Sequence, residues 1–190
     1  MSLKRTECAK CGIKDKICSS PEGQGPAFCP TLHRTESIAK ANEEYTKADI
    51  LEFAHAATVQ EGECYIDRDV KPYVSHPAKP RVQEVCEFAH KMGYKQLGLA
   101  FCGGLHKEAL SLTQILENQG FEVVSVVCSV GGTPKEKIGV KDGEKIHIGE
   151  FEAMCSPIAQ AVILNEEGTD FNILLGLCVG HDSLFLKYSR

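Results

Sequence analysis

Three short apolar runs in this chain each end in a cysteine: "QLGLAFC" at Cys102, "EVVSVVC" at Cys128 and "NILLGLC" at Cys178. Each has the length and composition of a buried strand, and segments of helical period separate them. "KEALSLTQILEN" sets Ala109, Leu112, Ile115 and Leu116 on one face before Gly120 stops it. "SPIAQAVILNEEG" opens with Ser156 as N-cap and Pro157 in the first position. Upstream, Val82, Val85, Cys86 and Ala89 repeat at helical spacing until Gly93. Strand, helix and strand in this order predict right-handed parallel crossovers. The fold class is therefore α/β, a Rossmann-like parallel sheet with flanking helices. All strand C-termini of such a sheet lie on one edge, where open α/β folds build their sites. Three cysteines are thus expected at one rim. Cys155 precedes the cap of a helix that runs back to the opposite edge. It joins the others only if the excursion over residues 129–154 folds back over the site.

A small Cys-rich metal-binding segment, residues 1–35, is expected to precede the α/β domain, residues 36–190. Its texture is different, rich in Cys, Gly, Pro and Lys and without periodicity. Such a segment buries too little apolar surface to order itself without a cross-link. Cys8, Cys11, Cys18 and Cys29 supply one, at the spacing C-x2-C-x6-C-x10-C-P. Residues 36–60 read as one or two helices, with Ile50, Ala54 and Ala57 sharing a face and a cap from Thr46 and Asp49. Residues 61–80, with Gly62 and three prolines, read as a connecting loop.

Ten cysteines in 190 residues, with no apolar leader in "MSLKRTECAKCG", point to a cytoplasmic protein whose thiols bind metal or do redox chemistry. A net charge of −5 argues against a broad nucleic-acid surface. No stretch reaches the roughly 20 apolar residues of a membrane span. Four thiolates around one point, Cys102, Cys128, Cys155 and Cys178, suit an iron–sulfur cluster or a tetrahedral zinc. Gly103, Gly104, Gly131, Gly132 and Gly180 would turn backbone amides toward that centre. For the N-terminal four, "CAKCG" favours zinc, while a last Cys followed by Pro suits a [4Fe–4S] cluster; His33 is a possible replacement ligand. Each set has a plainer reading. The edge cysteines can be four buried core thiols, and the N-terminal four unrelated reduced ones. Cys86 lies on an apolar helix face and reads as packing, and Cys64, in a polar loop, has no assigned role. His181 and Asp182 are candidate catalytic residues. In the plainer reading His181 is a solvated loop residue and Asp182 caps a helix beginning at Ser183. His106 is a similar case. "CGGLHK" and "SVGGTPK" match neither G-x-G-x-x-G nor the P-loop, so nucleotide binding is a minor alternative.

"FEAMCSPIAQAVILNEEGTDFNILLGLCVGHDSLFLKYS", with "GLAFCGGL" and "VVSVVCSVGG" upstream, resembles the family known as domain of unknown function 1847. Its members are described as predicted metal-binding proteins. The resemblance covers nearly the whole chain, N-terminal cysteines included. It implies metal binding without naming a reaction, and a further strand after "KYS". Three functions follow. One is a metal-binding redox or sensor protein, with an edge cluster, a second N-terminal metal and a redox partner protein. Another is a cluster-dependent enzyme with an open coordination position, Cys155 not being a ligand. The third is a zinc-stabilised binding module without catalysis.

Overall fold

The computed structural model describes residues 5–190. Two compact units divide the chain, one ending at Val59 and the other spanning Gln60–Arg190. The boundary expected after residue 35 falls at the start of a helix within the first unit. That unit holds a 3-10 turn at Cys8–Lys10, then α1 (Pro30–His33) and α2 (Thr35–Glu44). Helix α3 (Ala48–Glu63) begins in this unit and continues past its end. The Thr46 hydroxyl, expected to cap α3, donates back to the Glu43 carbonyl at 2.8 Å.

In the second unit the expected loop over residues 61–80 is not plain loop. Helix α3 runs to Glu63, and β1 (Tyr65–Ile66) pairs antiparallel with β2 (His76–Pro77). The ladder tolerates Pro77, which has no N–H to donate, because two residues per strand leave both edges free. There follow α4 (Arg81–Lys91), β3 (Gln96–Phe101), α5 (His106–Asn118), β4 (Glu122–Val127), α6 (Pro157–Glu167), β5 (Phe171–Leu175) and α7 (His181–Tyr188). The three longer strands form a parallel sheet in the order β4-β3-β5. Chain order and sheet order differ because the first of the three strands is central and the other two flank it.

The side-chain alternation of β3 builds both layers. Leu97, Leu99 and Phe101 face Cys86 and Ala89 of α4 and Ala109 and Leu116 of α5. Ala100 faces the other way, with Val126, against Ala161 and Leu164 of α6 and Phe185 of α7. A strand covered on both faces reads as a continuous apolar run, which is why "QLGLAF" shows no polar alternation. Gly98 belongs to the second face. A Cβ there would lie 1.9 Å from Asn172 Oδ1 and 3.1 Å from Leu164 Cδ1. The Asp170 carboxylate accepts from the Lys95 and Gln96 amides at 2.7 and 2.9 Å, locking the start of β5 to the start of β3. These bonds, the Gln96 amide first, hold its carboxyl below the usual range.

Residues 129–154 leave β4 and come back, and three backbone bonds close the neck. The Lys135 amide donates to Glu152 O at 3.0 Å, Met154 to Thr133 O at 2.7 Å and Ser156 to Cys128 O at 2.7 Å. Beyond the neck Glu152 acts as a hub. Its carboxylate takes the Lys135 ammonium at 2.5 Å and the Ile146 and His147 amides at 3.3 and 2.8 Å. Two 3-10 turns, Lys135–Ile138 and Asp142–Glu144, make up the lobe.

Two outcomes test this account. Gly98→Ala is expected to cost about 1–3 kcal/mol in urea unfolding, since the added methyl must displace Asn172 or α6; an unchanged midpoint would refute the close approach. Lys135, then the two amides, hold the Glu152 carboxyl at about 2, down from the usual 4.5. A lowered carboxylate stabilises the fold fully above its unfolded value, and the contribution disappears as pH falls through the folded one. Wild type is therefore expected to melt higher than Glu152→Gln at pH 6. The gap should close between about pH 4.5 and 2, as followed by circular dichroism. A gap constant with pH would show that the charge on Glu152 is immaterial.

Candidate metal centre

The rim carries four thiols. Cys102 follows β3 directly, and its amide donates to Leu175 O at 3.1 Å, tying the ends of β3 and β5. The chain then makes a 3-10 turn, Gly103–Leu105, with Cys102 at its cap position. Cys128 follows β4 and is buried; its amide donates to Phe101 O at 2.9 Å. Cys155 sits at the end of the returning excursion, where the Ser156–Cys128 bond holds it beside the second strand end. Ser156 occupies the cap position of α6 without a side-chain cap bond, so its backbone amide does the anchoring. Cys178 departs from expectation. Its strand stops at Leu175, because Gly176 turns the chain at φ +61°. A side chain at Gly176 would meet Leu105 Cδ1 at 2.2 Å, so only glycine fits. Cys178 therefore stands on an exposed loop three residues past the strand.

The Cys128 and Cys178 thiols act on both Cys102 and Cys155. The Cys102 thiol is drawn down by the Gly104 amide but pushed up by burial and by Cys128 and Cys178, and the net effect is upward. Cys155 is pushed up to about 12, first by burial and then by Cys128 and Cys178. The backbone meets two of the sulfurs: the Gly103 amide donates to Cys128 Sγ at 3.3 Å, and the Gly104 amide to Cys102. Gly131, Gly132 and Gly180 serve differently, carrying the chain through φ +89°, +57° and +80° at the turns that leave Cys128 and enter α7. Cys155, Cys178 and His181 bring one ligand atom each within 4.8 Å of one another, a possible Cys/His metal site. His181 is half-buried at the first position of α7, its amide donating to Cys178 O at 2.9 Å. Asp182 is exposed. The helix begins at His181 rather than Ser183, and the Asp182 carboxylate accepts from the Ser183 amide at 2.8 Å. His106 opens α5, its ring 6.0 Å from that of Phe101. A cation suits this donor set: crowded thiols resist ionisation, and a metal or cluster offsets the charge that repels them.

In the first unit Cys8, Cys11, Cys18 and Cys29 line one cavity of about 250 Å³, together with Lys16, Phe28 and Pro30. Cys8 opens the 3-10 turn, with the Cys11 amide on its carbonyl at 3.0 Å. Gly25 leaves room at Cys29, where a Cβ would lie 2.9 Å from the sulfur. His33, exposed at the end of α1, is not among the lining residues. The two remaining cysteines are apart from both sets. Cys86 is buried in the α4 layer. Cys64 is also buried, contrary to its reading as a polar-loop residue, and its thiol donates to Gln60 O at 2.9 Å. Gln60, Glu87 and Lys79 form a polar cluster around it.

Two residues that hold the rim carry no signal in the sequence. Glu152 reads as one more charge in an irregular stretch. Gln160 reads as a polar interruption of an apolar helix, yet it is fully buried and donates to the Phe101 and Val126 carbonyls at 3.2 and 2.7 Å.

No helix among the described residues is long and apolar enough to cross a membrane. No solved structure matches the chain. An uncharacterized protein of Methanocaldococcus jannaschii is 46% identical over 151 residues, covering 80% of this chain and 70% of that protein. A family profile matches residues 29–190. The match includes Cys29 and all four rim cysteines but not Cys8, Cys11 or Cys18, so the resemblance is narrower at the N-terminus than expected. By this match the chain belongs to the family described as protein of unknown function DUF1847.

Proposed function

We propose that this is a cytoplasmic metal-binding protein with a redox or sensor role. In this reading Cys102, Cys128, Cys155 and Cys178 hold an iron–sulfur cluster at the sheet edge. Cys8, Cys11, Cys18 and Cys29 hold a second metal in an N-terminal segment, and a partner protein exchanges electrons at the rim. One observation carries the proposal: the Cys128 and Cys178 thiols lie near enough to push up both Cys102 and Cys155, and Cys155, Cys178 and His181 bring ligand atoms within 4.8 Å of one another. The Gly103 and Gly104 amides on two of the sulfurs support it, because such bonds offset a cluster's negative charge. A cluster supplies one-electron transfer, and exposed Cys178 and Val179 give a partner access.

His181 favours a second reading. Its nitrogen beside Cys155 and Cys178 offers a mixed site, and a fourth ligand from Cys128, whose thiol lies near Cys155, would complete the Cys3His of a structural zinc. The two readings differ at Cys102, which the zinc site does not need.

Anaerobic preparation followed by elemental analysis and an absorption spectrum tests the proposal. Iron, sulfide and a brown solution are expected; zinc in a colourless solution would favour the second reading. Replacing Cys102 and Cys178 together by Ala is expected to remove one metal centre and leave the fold. Unchanged stoichiometry would refute the rim site in either form. The single Cys102→Ala variant is expected to lose the cluster, whereas a Cys3His zinc would survive it. Removing residues 1–34 is expected to abolish the other centre and leave residues 36–190 folded. Loss of cooperative unfolding in the shortened chain would count against that independence.

A further inference from the structure

Gln160 is a fully buried polar side chain in an otherwise apolar layer. It stands one turn into α6, five residues after Cys155. Its Nε2 donates to Phe101 O, the carbonyl just before Cys102, and to Val126 O, two residues before Cys128. One amide group thus joins the helix that follows Cys155 to the strand ends that carry Cys102 and Cys128.

The hydrogen-bond inventory argues against a purely stabilising role. Phe101 O already accepts from the Cys128 amide at 2.9 Å, so it does not need Gln160. The Oε1 atom of Gln160 is buried with no hydrogen-bond partner. A buried acceptor left unpaired costs stability, and an apolar side chain of the same shape would remove that cost. A polar group held at a net cost, bonded to the two strand ends that present thiols, is explained by the geometry it enforces.

We propose that Gln160 is a positioning residue of the cysteine rim: it fixes α6, and with it Cys155, against the ends of β3 and β4. The metal aspect rests on the function proposed above; the spacing of the thiols does not. Residues that orient ligands without touching the metal typically change its affinity about 10–100-fold when replaced.

The test uses the full chain with Gln160→Met, which keeps the volume without the bonds, and Gln160→Glu, which keeps the size but replaces the donor by an acceptor. Reduced, metal-free protein is titrated with phenylarsine oxide, a trivalent arsenical that condenses with two thiols held close together and releases water. The N-terminal thiols are expected to respond alike in all three proteins. Loaded protein is then challenged with excess EDTA and metal release is timed. Gln160→Met is expected to melt at or above the wild-type temperature when metal-free. It should bind the arsenical at the rim about tenfold more weakly and release metal about 10–100 times faster. Gln160→Glu should behave likewise at the rim. Unchanged arsenical binding and release in folded Gln160→Met would overturn the proposal. A melting temperature many degrees lower would also overturn it, since Gln160 would then serve the fold. If wild type holds no metal at the rim, the function proposed above fails, and the arsenical titration alone still decides the role of Gln160.

Discussion

The rim depends on the parallel pairing of Gln96–Phe101 with a neighbour on each side. The register sets Phe101 opposite Val127 on one flank and Leu175 on the other, so the chain leaves all three strands at the same level. The first amide past β3 and the first past β4 then bond across. Cys102 reaches back to Leu175, and Cys128 to Phe101. The backbone ladder therefore runs one step into the cysteines themselves. Their spacing is a property of the sheet rather than of loops that must find one another.

Crowded thiols are a poor arrangement for a molecule that must keep them bare. Cys128 and Cys178 stand beside both Cys102 and Cys155 and, together with burial, push those two thiols up. Cys128 is buried, Cys102 and Cys155 are half-buried and Cys178 is exposed. A bound cation reverses the balance, because what repels a second thiolate attracts a metal. At Cys102 and Cys155 the same closeness that opposes ionisation favours a cation.

Much of this was legible in the sequence because it is periodic. Three apolar runs and the helices between them mark the sheet and its flanking helices, and Cys102 and Cys128 directly follow two of its strands. Cys155 could be placed only conditionally. Its approach depends on the Ser156–Cys128 bond and on Glu152 gathering Lys135 and two amides, which are long-range pairings of residues with no distinguishing local pattern. The reading of Cys178 as a strand end failed on one residue: Gly176 looks like part of an apolar run, but Leu105 occupies the space a side chain would need. Cys64 was misjudged because its polar neighbours form an internal cluster rather than a solvated loop. Gln160 was passed over because a lone amide in an apolar helix has no meaning until its carbonyl partners are known.

The closed neck of residues 129–154 has a consequence of its own. Backbone bonds at its base secure Cys128 and Cys155, and just beyond them Glu152 braces the lobe through Lys135 and the Ile146 and His147 amides. Lengthening such a tip adds little entropic penalty once its ends are joined. In its outermost part the side chains of Ile146, Ile148 and Phe151 stand largely in solvent, so replacing them leaves the backbone bonds of the neck in place.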